Sequence, residues 1–181
     1  MERQLVVFKL AGEYFGVDIF AVERIIDMQP IAIVPHVPAF IKGVADLYGE
    51  VLPVMDLRKR FDLPSSDLTR ESRLVVVEVG EVKVGMLVDA VSEVVRVGDE
   101  DIESPPGLVL TPVNETYIAG IAKVGRGDVS RKKGKTVREF GRLIILLNLA
   151  EVLSTKEKLI LQDFERTLEE TSAENLEGVK L

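Results

Sequence analysis

The sequence predicts a mainly β protein with two packed five-stranded barrels that are related by internal duplication. First, the apolar pattern of Leu5–Leu10 recurs 69 positions later in Leu74–Val79, and a glycine follows each copy. Second, segments 41–44 and 51–57 recur 77 and 92 positions later. Third, hydrophobic residues make up 46% of the chain and aromatic residues only 6%, so Val, Ile and Leu fill the interior and favour strands. Because the repeat keeps apolar residues and glycine but changes the charged ones, it indicates a paired scaffold with a seam between its halves.

The first half of the chain combines alternating apolar residues with turn residues, which is typical of short strands. Strands are predicted at 4–10, 14–19, 42–48 and 51–56. Asp18 can cap a short helix over 19–25, and a helical turn is expected at 57–61. The polar connection 62–72 is the candidate boundary between the lobes. It divides the chain into lobe one at about 4–67 and lobe two at about 73–153.

The second half repeats this plan and then adds a helix. Strands are predicted at 73–79, 82–88, 93–97, 117–124 and 142–148. Ser154 and Glu157 have the spacing of a capping box, in which each side chain binds the other residue's backbone N–H. Leu161, Phe164 and Leu168 follow on one helical face, so 155–170 is predicted to be an amphipathic helix. Residues 171–181 lack that stripe and are predicted to be a flexible tail.

Composition and charge narrow the class of protein. The 181 residues can bury one domain or two small packed lobes, and their formal charge of −7 argues against a general nucleic-acid binder. The absence of cysteine excludes disulfides and thiolate catalysis. The first apolar run is too short for a signal peptide, and no run is long enough to span a membrane. The sequence therefore predicts a cytoplasmic protein with no direct membrane insertion.

The candidate chemical groups do not form a recognisable catalytic or metal site. His36 is the single histidine and stands between two prolines, without partners at workable spacing. The acidic stretch 99–103 lacks the spaced ligand pattern and turn glycine of a cation loop. Segment 134–136 imitates the end of a phosphate loop, but Val129 stands where that loop needs glycine. We therefore predict no catalytic residues, no cofactor, no metal and no enzymatic activity.

One segment differs in charge from the rest of the chain. Residues 123–142 contain eight Lys or Arg against two acidic residues. The segment is either a solvated hairpin loop or a contact for an acidic partner surface, for phosphate or for anionic lipid. A binding module that takes RNA or lipid headgroups, outside any adaptor role, is the alternative function. The candidate contact residues are Arg126, Arg131, Lys132, Lys133, Lys135 and Arg138.

The central segment carries a family signature. Residues 36–61 read HVPAFIKGVADLYGEVLPVMDLRKRF. This segment closely resembles the signature of CheW-type chemotaxis coupling proteins, in which P-x-F-I-x-G-V-x-N-L-R-G leads into V-x-P-V-x-D-L. Segments 8–19 and 84–91 also match, and the resemblance covers roughly residues 4–155.

The resemblance implies a non-enzymatic adaptor made of two five-stranded SH3-like barrels. Such proteins join the cytoplasmic tips of methyl-accepting chemoreceptors to a CheA-type histidine kinase, whose regulatory domain has the same fold. In that family the receptor tip docks in the groove between the lobes, and the kinase contacts the end of one barrel. A helix in a groove needs apolar contact rather than catalytic groups.

Five residues are candidates for receptor or kinase contact through this resemblance. Val22 and Gly43 match coupling positions of the first lobe, and Gly85 and Val94 match those of the second. Each has a structural alternative, because Val22 and Val94 fit a core face and the glycines fit close backbone packing. Tyr48 stands where the family usually has Arg, which it cannot replace in an ion pair. Either partner recognition differs here, or the chain is a divergent paralogue.

Overall fold

The computed structural model describes residues 1–104, 114–125, 129–132, 135–138, 141–163 and 166. The first half of the chain forms six strands and one helical turn: β1 Glu2–Leu10, β2 Glu13–Asp18, β3 Val22–Asp27, β4 Ile31–Ala32, β5 Ile41–Leu47, β6 Glu50–Asp56 and α1 Leu57–Arg60. The second half forms β7 Arg73–Val79, β8 Val82–Val88, β9 Ala90–Gly98, β10 Ile102–Glu103, β11 Ile118–Val124, β12 Val129–Lys132, β13 Lys135–Arg138, β14 Arg142–Leu147, α2 Leu149–Val152 and a last helix, α3, at 155–163.

The two halves of the chain exchange their first hairpins. Sheet 1 has the strand order β4-β5-β6-β8-β7-β3, and sheet 2 has the order β10-β11-β14-β2-β1-β9. Each strand of sheet 1 has its duplicated counterpart at the same position in sheet 2. The β1–β2 hairpin thus lies in the sheet built mainly from the second half, and β7–β8 lies in the sheet built mainly from the first. The predicted lobes at 4–67 and 73–153 therefore do not coincide with the sheets.

Burial explains why the hairpins are exchanged. In β1, Val6, Phe8 and Leu10 enter a core shared by both sheets, while the alternate residues Leu5 and Val7 enter a cluster within sheet 2. The first strand of the other exchanged hairpin, β7, divides its residues between the shared core and sheet 1 in the same way. A strand that is buried on both faces reads as a continuous apolar run. The first pair of repeated apolar runs, Leu5–Leu10 and Leu74–Val79, therefore belongs to the exchanged strands.

The exchanged hairpins join their new sheets through short parallel pairings. Val54 of β6 is opposite Gly85 of β8, and Leu146 of β14 is opposite Gly16 of β2. These two pairs are equivalent under the duplication. Every other strand pairing in the two sheets is antiparallel. The parallel pairings mark the seam in each sheet at which the two halves of the chain meet.

The mainly β fold is confirmed, and three details differ from the prediction. Each sheet has six strands rather than five, because the two-residue strands β4 and β10 add to an edge. Among the described strands, pairing does not close either sheet into a barrel. The predicted helix at 19–25 is wrong: Asp18 caps only a 3₁₀ turn at Ile19–Ala21, accepting from the Phe20 N–H at 2.9 Å. β3 then begins, because its backbone pairs with β7.

The C-terminal helix packs on its own chain. The predicted capping box is present, with Ser154 N donating to Glu157 Oε1 at 2.8 Å and Glu157 N donating to Ser154 Oγ at 3.2 Å. Leu161 is fully buried in the shared core. The predicted stripe residues Phe164 and Leu168, and the predicted tail 171–181, lie outside the described residues.

Candidate protein-docking surface

An aspartate at the end of β8 ties the two sheets together. The Asp89 carboxylate accepts from Ala11 N at 2.8 Å and from Arg58 Nε at 2.9 Å, and it also pairs with Arg58 Nη2. Arg58 donates a further hydrogen bond to the Pro64 carbonyl at 2.6 Å. Ala11 lies in the β1–β2 turn of sheet 2, whereas Arg58 lies in α1, which follows sheet 1. The carboxylate therefore connects the two sheets.

A second arginine attaches the C-terminal helix to α1. Arg60 Nε donates to the Val152 carbonyl at 2.8 Å, and Nη1 and Nη2 donate to the Glu157 carboxylate at 3.0 and 2.8 Å. The guanidinium also lies over the Phe40 ring, 4.3 Å from its centroid. Its side chain is only 14% exposed, so this bidentate pair is shielded from water. Sequence reasoning missed both arginines, because their partners lie 31 and 97 residues away.

Gly43 allows the edge strand β4 to lie against β5. Its φ is +156°, and a β-carbon there would overlap the Ala32 carbonyl oxygen and lie 2.8 Å from Ile31 Cγ2. The pairing register shifts between Ile41 and Gly43, which indicates a bulge. The equivalent glycine, Gly120, meets β10 in a similar way. The position thus requires glycine for close backbone packing, which supports the structural alternative.

Gly85 lies in the buried seam of sheet 1. A β-carbon there would lie 3.1 Å from Leu52 Cδ2. Gly16 occupies the equivalent seam of sheet 2, where its β-carbon would lie 3.0 Å from Ile144 Cγ2. Close packing therefore explains why this position is glycine. A substitution of Gly85 would affect partner binding only by displacing β6 and β8.

The two candidate valines differ in exposure. Val22 begins β3 and packs, half-buried, against the shared core. Val94 on β9 is 54% exposed. The residue equivalent to Val94 in the first half is Ile25 on β3, which is 40% exposed. Packing against the core therefore explains the valine at position 22. Val94 and Ile25 are instead exposed apolar residues at equivalent positions of β9 and β3.

An open concavity of about 530 Å³ lies beside β3 and the β5–β6 turn. Tyr48 is 97% exposed at this turn, and it has φ +53°, followed by Gly49 with φ +87°. Asp46 Oδ1 accepts from Gly49 N at 2.9 Å and holds the turn. The lining residues are Ile25, Ile26, Asp27, Gln29, Asp46, Leu47 and Tyr48. The candidate residue Tyr48 thus stands at the rim of a surface that can take another chain.

A second concavity, of about 330 Å³, crosses the boundary between the sheets. Sheet 1 contributes Ile25 and Arg73, and sheet 2 contributes Lys9 and the segment 90–92, while Glu71 lies on the connection. Ile25 lines both concavities, and we call the two together the β3 groove. The lining of the second concavity mixes apolar with charged side chains from both sheets.

Surface ion pairs give the two similar sheets different outer faces. In sheet 1, Lys83 Nζ lies 3.2 Å from Glu23 Oε2 and 3.6 Å from Glu50 Oε1, and Arg24 Nη2 lies 3.9 Å from Glu50 Oε2. The hydrogen bond from Lys83 lowers the pKa of Glu23, and the same bond raises the pKa of Lys83. These groups are exposed, so their contribution to stability is small.

Sheet 2 carries the opposite charges at the equivalent positions. Glu93 takes the place of Arg24, and Arg142 takes the place of Glu50; these two residues form an ion pair. Tyr14 replaces Lys83, and its pKa is lowered by its hydrogen bond with Arg142 and by the charge of Lys9. The two sheets therefore carry different arrangements of charge on equivalent strands.

Part of the basic segment forms a small separate sheet. β12 and β13 pair with each other, with Val129 opposite Arg138 and Lys132 opposite Lys135. We call these two strands the basic arm. The candidates Arg126 and Lys133, and the side chains of Arg131, Lys132, Lys135 and Arg138, lie outside the described residues.

The remaining polar candidates do not converge. His36 is exposed in a turn with φ +62°. In the acidic stretch, Asp101 Oδ2 accepts from Gly98 N at 3.3 Å. Across the described residues, no three His, Asp or Glu side chains are grouped so that they could hold a metal ion. In the part of the chain that the structure describes, no helix combines the length and apolar character needed to cross a membrane.

Comparison with known proteins identifies the family. The model of the CheW-like domain matches residues 4–157, which is most of the chain. The chain belongs to the CheW-like domain family. The resemblance noted in residues 36–61 is thereby confirmed, as is the prediction that the chain is not an enzyme.

Individual relatives agree with this assignment. The Chemotaxis protein CheW of Treponema pallidum is 31% identical over 158 residues, which cover 85% of this chain and 84% of the relative. The Probable chemotaxis protein CheW of Rhizobium etli is 38% identical over 125 residues, covering 69% and 80% of the two chains. The crystal structure of the scaffolding protein TtCheW from Thermoanaerobacter tengcongensis matches with a TM-score of 0.71 and 32% identity, covering 87% of this chain and 91% of that one.

Proposed function

We propose that this CheW-like chain is a cytoplasmic adaptor that couples the cytoplasmic tips of chemoreceptors to a CheA-type histidine kinase. The observation that carries the proposal is the β3 groove, of which the second concavity is lined by both sheets. The relatives named as chemotaxis proteins and the scaffolding protein with the same fold support a role in chemotaxis assembly. The adaptor acts by holding two proteins together, so it needs surfaces rather than reactive groups.

The groove suits a helical receptor tip. Ile25 and Val91 supply apolar surface in the groove, and Lys9 and Arg73 supply charges from opposite sheets. An amphipathic helix that is laid across this boundary buries apolar residues and pairs its own charges with both lobes. Tyr48 at the rim offers aromatic contact where the family's Arg would offer an ion pair. Receptor tips that suit this chain are therefore expected to be less acidic at that point.

The kinase regulatory domain has a separate candidate surface at the edge of sheet 1. The edge strand β4 lies against β5 at Gly43, and Ile33 directly after β4 is 89% exposed. An exposed edge strand with a neighbouring large apolar residue favours docking of another β domain. We assign this edge to the kinase because the resemblance implies contact at the end of one barrel.

Charge placed in the groove tests the receptor contact. Ile25→Glu is expected to weaken binding of a purified receptor-tip fragment by tenfold or more, on the order of a hot-spot residue, since it buries a carboxylate against apolar surface. Isothermal titration calorimetry measures this affinity. Leu143→Glu is the matched control, because Leu143 is exposed to a similar degree on β14 and does not line the groove. Equal receptor affinities of the two variants would contradict the groove as the receptor site.

The same proteins test the adaptor role as a whole. The wild-type chain should retain both the receptor-tip fragment and the purified kinase regulatory domain in a pull-down. Ile25→Glu should lose the receptor fragment and keep the kinase domain, because Ile25 is not part of the proposed kinase surface at β4 and Ile33. If the wild-type chain retains neither partner, the coupling function is wrong.

A further inference from the structure

One edge of sheet 1 is a strand with a free side. β3 is the last strand in the order of sheet 1, and among the strands that the structure describes it pairs only with β7. At its end, Gln29 Nε2 donates to the Asp27 carbonyl at 3.2 Å, a contact that an added backbone N–H can replace. An edge of this kind is a template for pairing with another extended chain.

The concavity of about 530 Å³ follows this free edge. Its lining includes Ile25, Ile26 and Asp27, which are successive residues of β3, and the segment 46–48 at the end of β5. Successive side chains of a strand point to opposite faces of the sheet. A concavity that meets all three residues therefore lies along the edge of β3 and not on one face. We call this concavity the edge slot.

The residues of the edge slot form one apolar row and one acidic row. Ile26 packs against two clusters within sheet 1, and Leu47 is buried in one of them. Asp46 is exposed, and the side chain of Asp27 is 84% exposed. Because a strand directs alternate side chains to opposite faces, a strand in the slot would place one set against apolar surface and the other set beside carboxylates.

Charge in the edge slot favours a basic occupant. The lining includes Asp27 and Asp46, and none of the described residues that line it is basic. Arg73 Nε lies 3.3 Å from Asp27 Oδ1, but this pair is exposed and therefore weak. Asp46 Oδ1 accepts from Gly49 N, which leaves the charge of the carboxylate in place. Lys or Arg side chains on the outer face of an added strand can pair with both carboxylates.

We propose that the edge slot binds an extended segment of a partner protein, in which apolar and basic residues alternate, as a strand added to β3. The backbone of the segment bonds to the free edge, its apolar side chains pack towards Ile26 and Leu47, and its basic side chains pair with Asp27 and Asp46. The receptor tip also needs Ile25, so the two partners exclude each other. That exclusion rests on the function proposed above, whereas the docking of the strand does not.

Charge removal in the full chain tests the acidic row. The double substitution Asp27→Asn and Asp46→Asn removes both carboxylates, and the amide oxygen at position 46 can still accept from Gly49 N. The matched control is Glu78→Gln with Glu81→Gln, which changes the net charge by the same amount at exposed residues outside the slot. Thermal unfolding of both variants, compared with wild type, checks that sheet 1 is intact.

The probe is a short fluorescein-labelled peptide of alternating Val and Lys, followed by fluorescence anisotropy. We expect the wild-type chain and the Glu78/Glu81 control to bind it with similar affinity. The Asp27/Asp46 variant should bind it about fivefold more weakly, as the loss of two exposed charge pairs would produce. A peptide of alternating Val and Glu should bind the wild-type chain more weakly than the Val–Lys peptide.

Methylation of the peptide backbone tests strand addition. Successive residues of a strand direct their N–H groups to opposite edges, so N-methylation of the Lys residues blocks one edge and N-methylation of the Val residues blocks the other. Only one edge of the peptide can pair with β3. We therefore expect one methylated peptide to bind like the parent, and the other to lose about tenfold in affinity with its backbone hydrogen bonds.

Three results would overturn the proposal. The first is equal affinity of the Asp27/Asp46 variant and its control for the Val–Lys peptide. The second is equal binding of the two methylated peptides, which would exclude strand addition. The third is binding of a helix-forming peptide of Leu and Lys that is at least as tight and equally sensitive to the Asp27/Asp46 substitutions, which would assign the slot to a helix. None of these measurements contains a receptor fragment, so a negative result leaves receptor coupling to its own test.

Discussion

Neither half of this chain is expected to fold as a monomer when the connection between the halves is cut. A fragment of residues 1–66 retains β3 but loses β7, its pairing partner in sheet 1, and it retains β1 without β9. A fragment of residues 67–181 retains β7 without β3 and β9 without β1. In each fragment a hairpin strand that is buried on both faces would expose one apolar face to water. Such fragments should remain largely unfolded.

Mixing the two fragments should restore the native fold. The cut lies among exposed residues of the connection, so the covalent bond that is lost supports no packing. Circular dichroism and the dispersion of amide signals in NMR spectra would report folding of each fragment and of the mixture, with the uncut chain as the control. A fragment that folds as a monomer would show that its hairpin pairs within its own half, contrary to the strand exchange.

Gly43→Asp is expected to have the largest effect of any exchange at the candidate contact residues. Its side chain would overlap the Ala32 carbonyl oxygen and require an unfavourable φ, so β4 must leave β5. We expect the free energy of unfolding to fall by about 3 kcal/mol. For a protein of this size the melting temperature should fall by about 10 °C. Binding of the kinase domain should weaken as well, because the proposed kinase surface includes β4.

Gly12→Asp is the matched control for this substitution. Gly12 also has a positive φ, of +82°, but no atom lies within 4 Å of the β-carbon position. Aspartate tolerates that backbone conformation moderately well, so the free energy of unfolding should fall by only about 1 kcal/mol. Differential scanning calorimetry separates the two variants. Similar melting temperatures would mean that β4 can move away from Gly43 at little cost.

Local patterns in the sequence were sufficient for the fold class and most elements. The apolar repeat predicted the paired strands, and Ser154 with Glu157 predicted the helix start that the structure has. The helix expected after Asp18 was wrong because apolar residues at 22, 25 and 26 fit both a helix and a strand. Pairing with β7, which is distant in sequence, decides between the two structures.

The candidate docking surface was predicted only in part. Tyr48 and Val94 are exposed as a contact requires, but Ile25, which lines both concavities, was not among the predicted contact residues. Ile25 is the repeat equivalent of the candidate Val94. The Asp89–Arg58 and Arg60–Glu157 pairs were missed, since no local pattern shows which distant charges meet. The strand exchange had one overlooked signal, the unbroken apolar runs that indicate burial on two faces.

The seam between β6 and β8 makes substitutions in one half of the chain depend on residues in the other half. Gly85 is encoded in the second half of the chain, yet the side chain that limits its size is Leu52, from the first. A larger residue at position 85 should therefore be accommodated by a smaller residue at position 52. In the same way, a larger residue at position 16 should be accommodated by a smaller residue at position 144. We expect substitutions that compensate a seam defect to arise in the opposite half of the gene, because the packing partners Leu52 and Ile144 are encoded there.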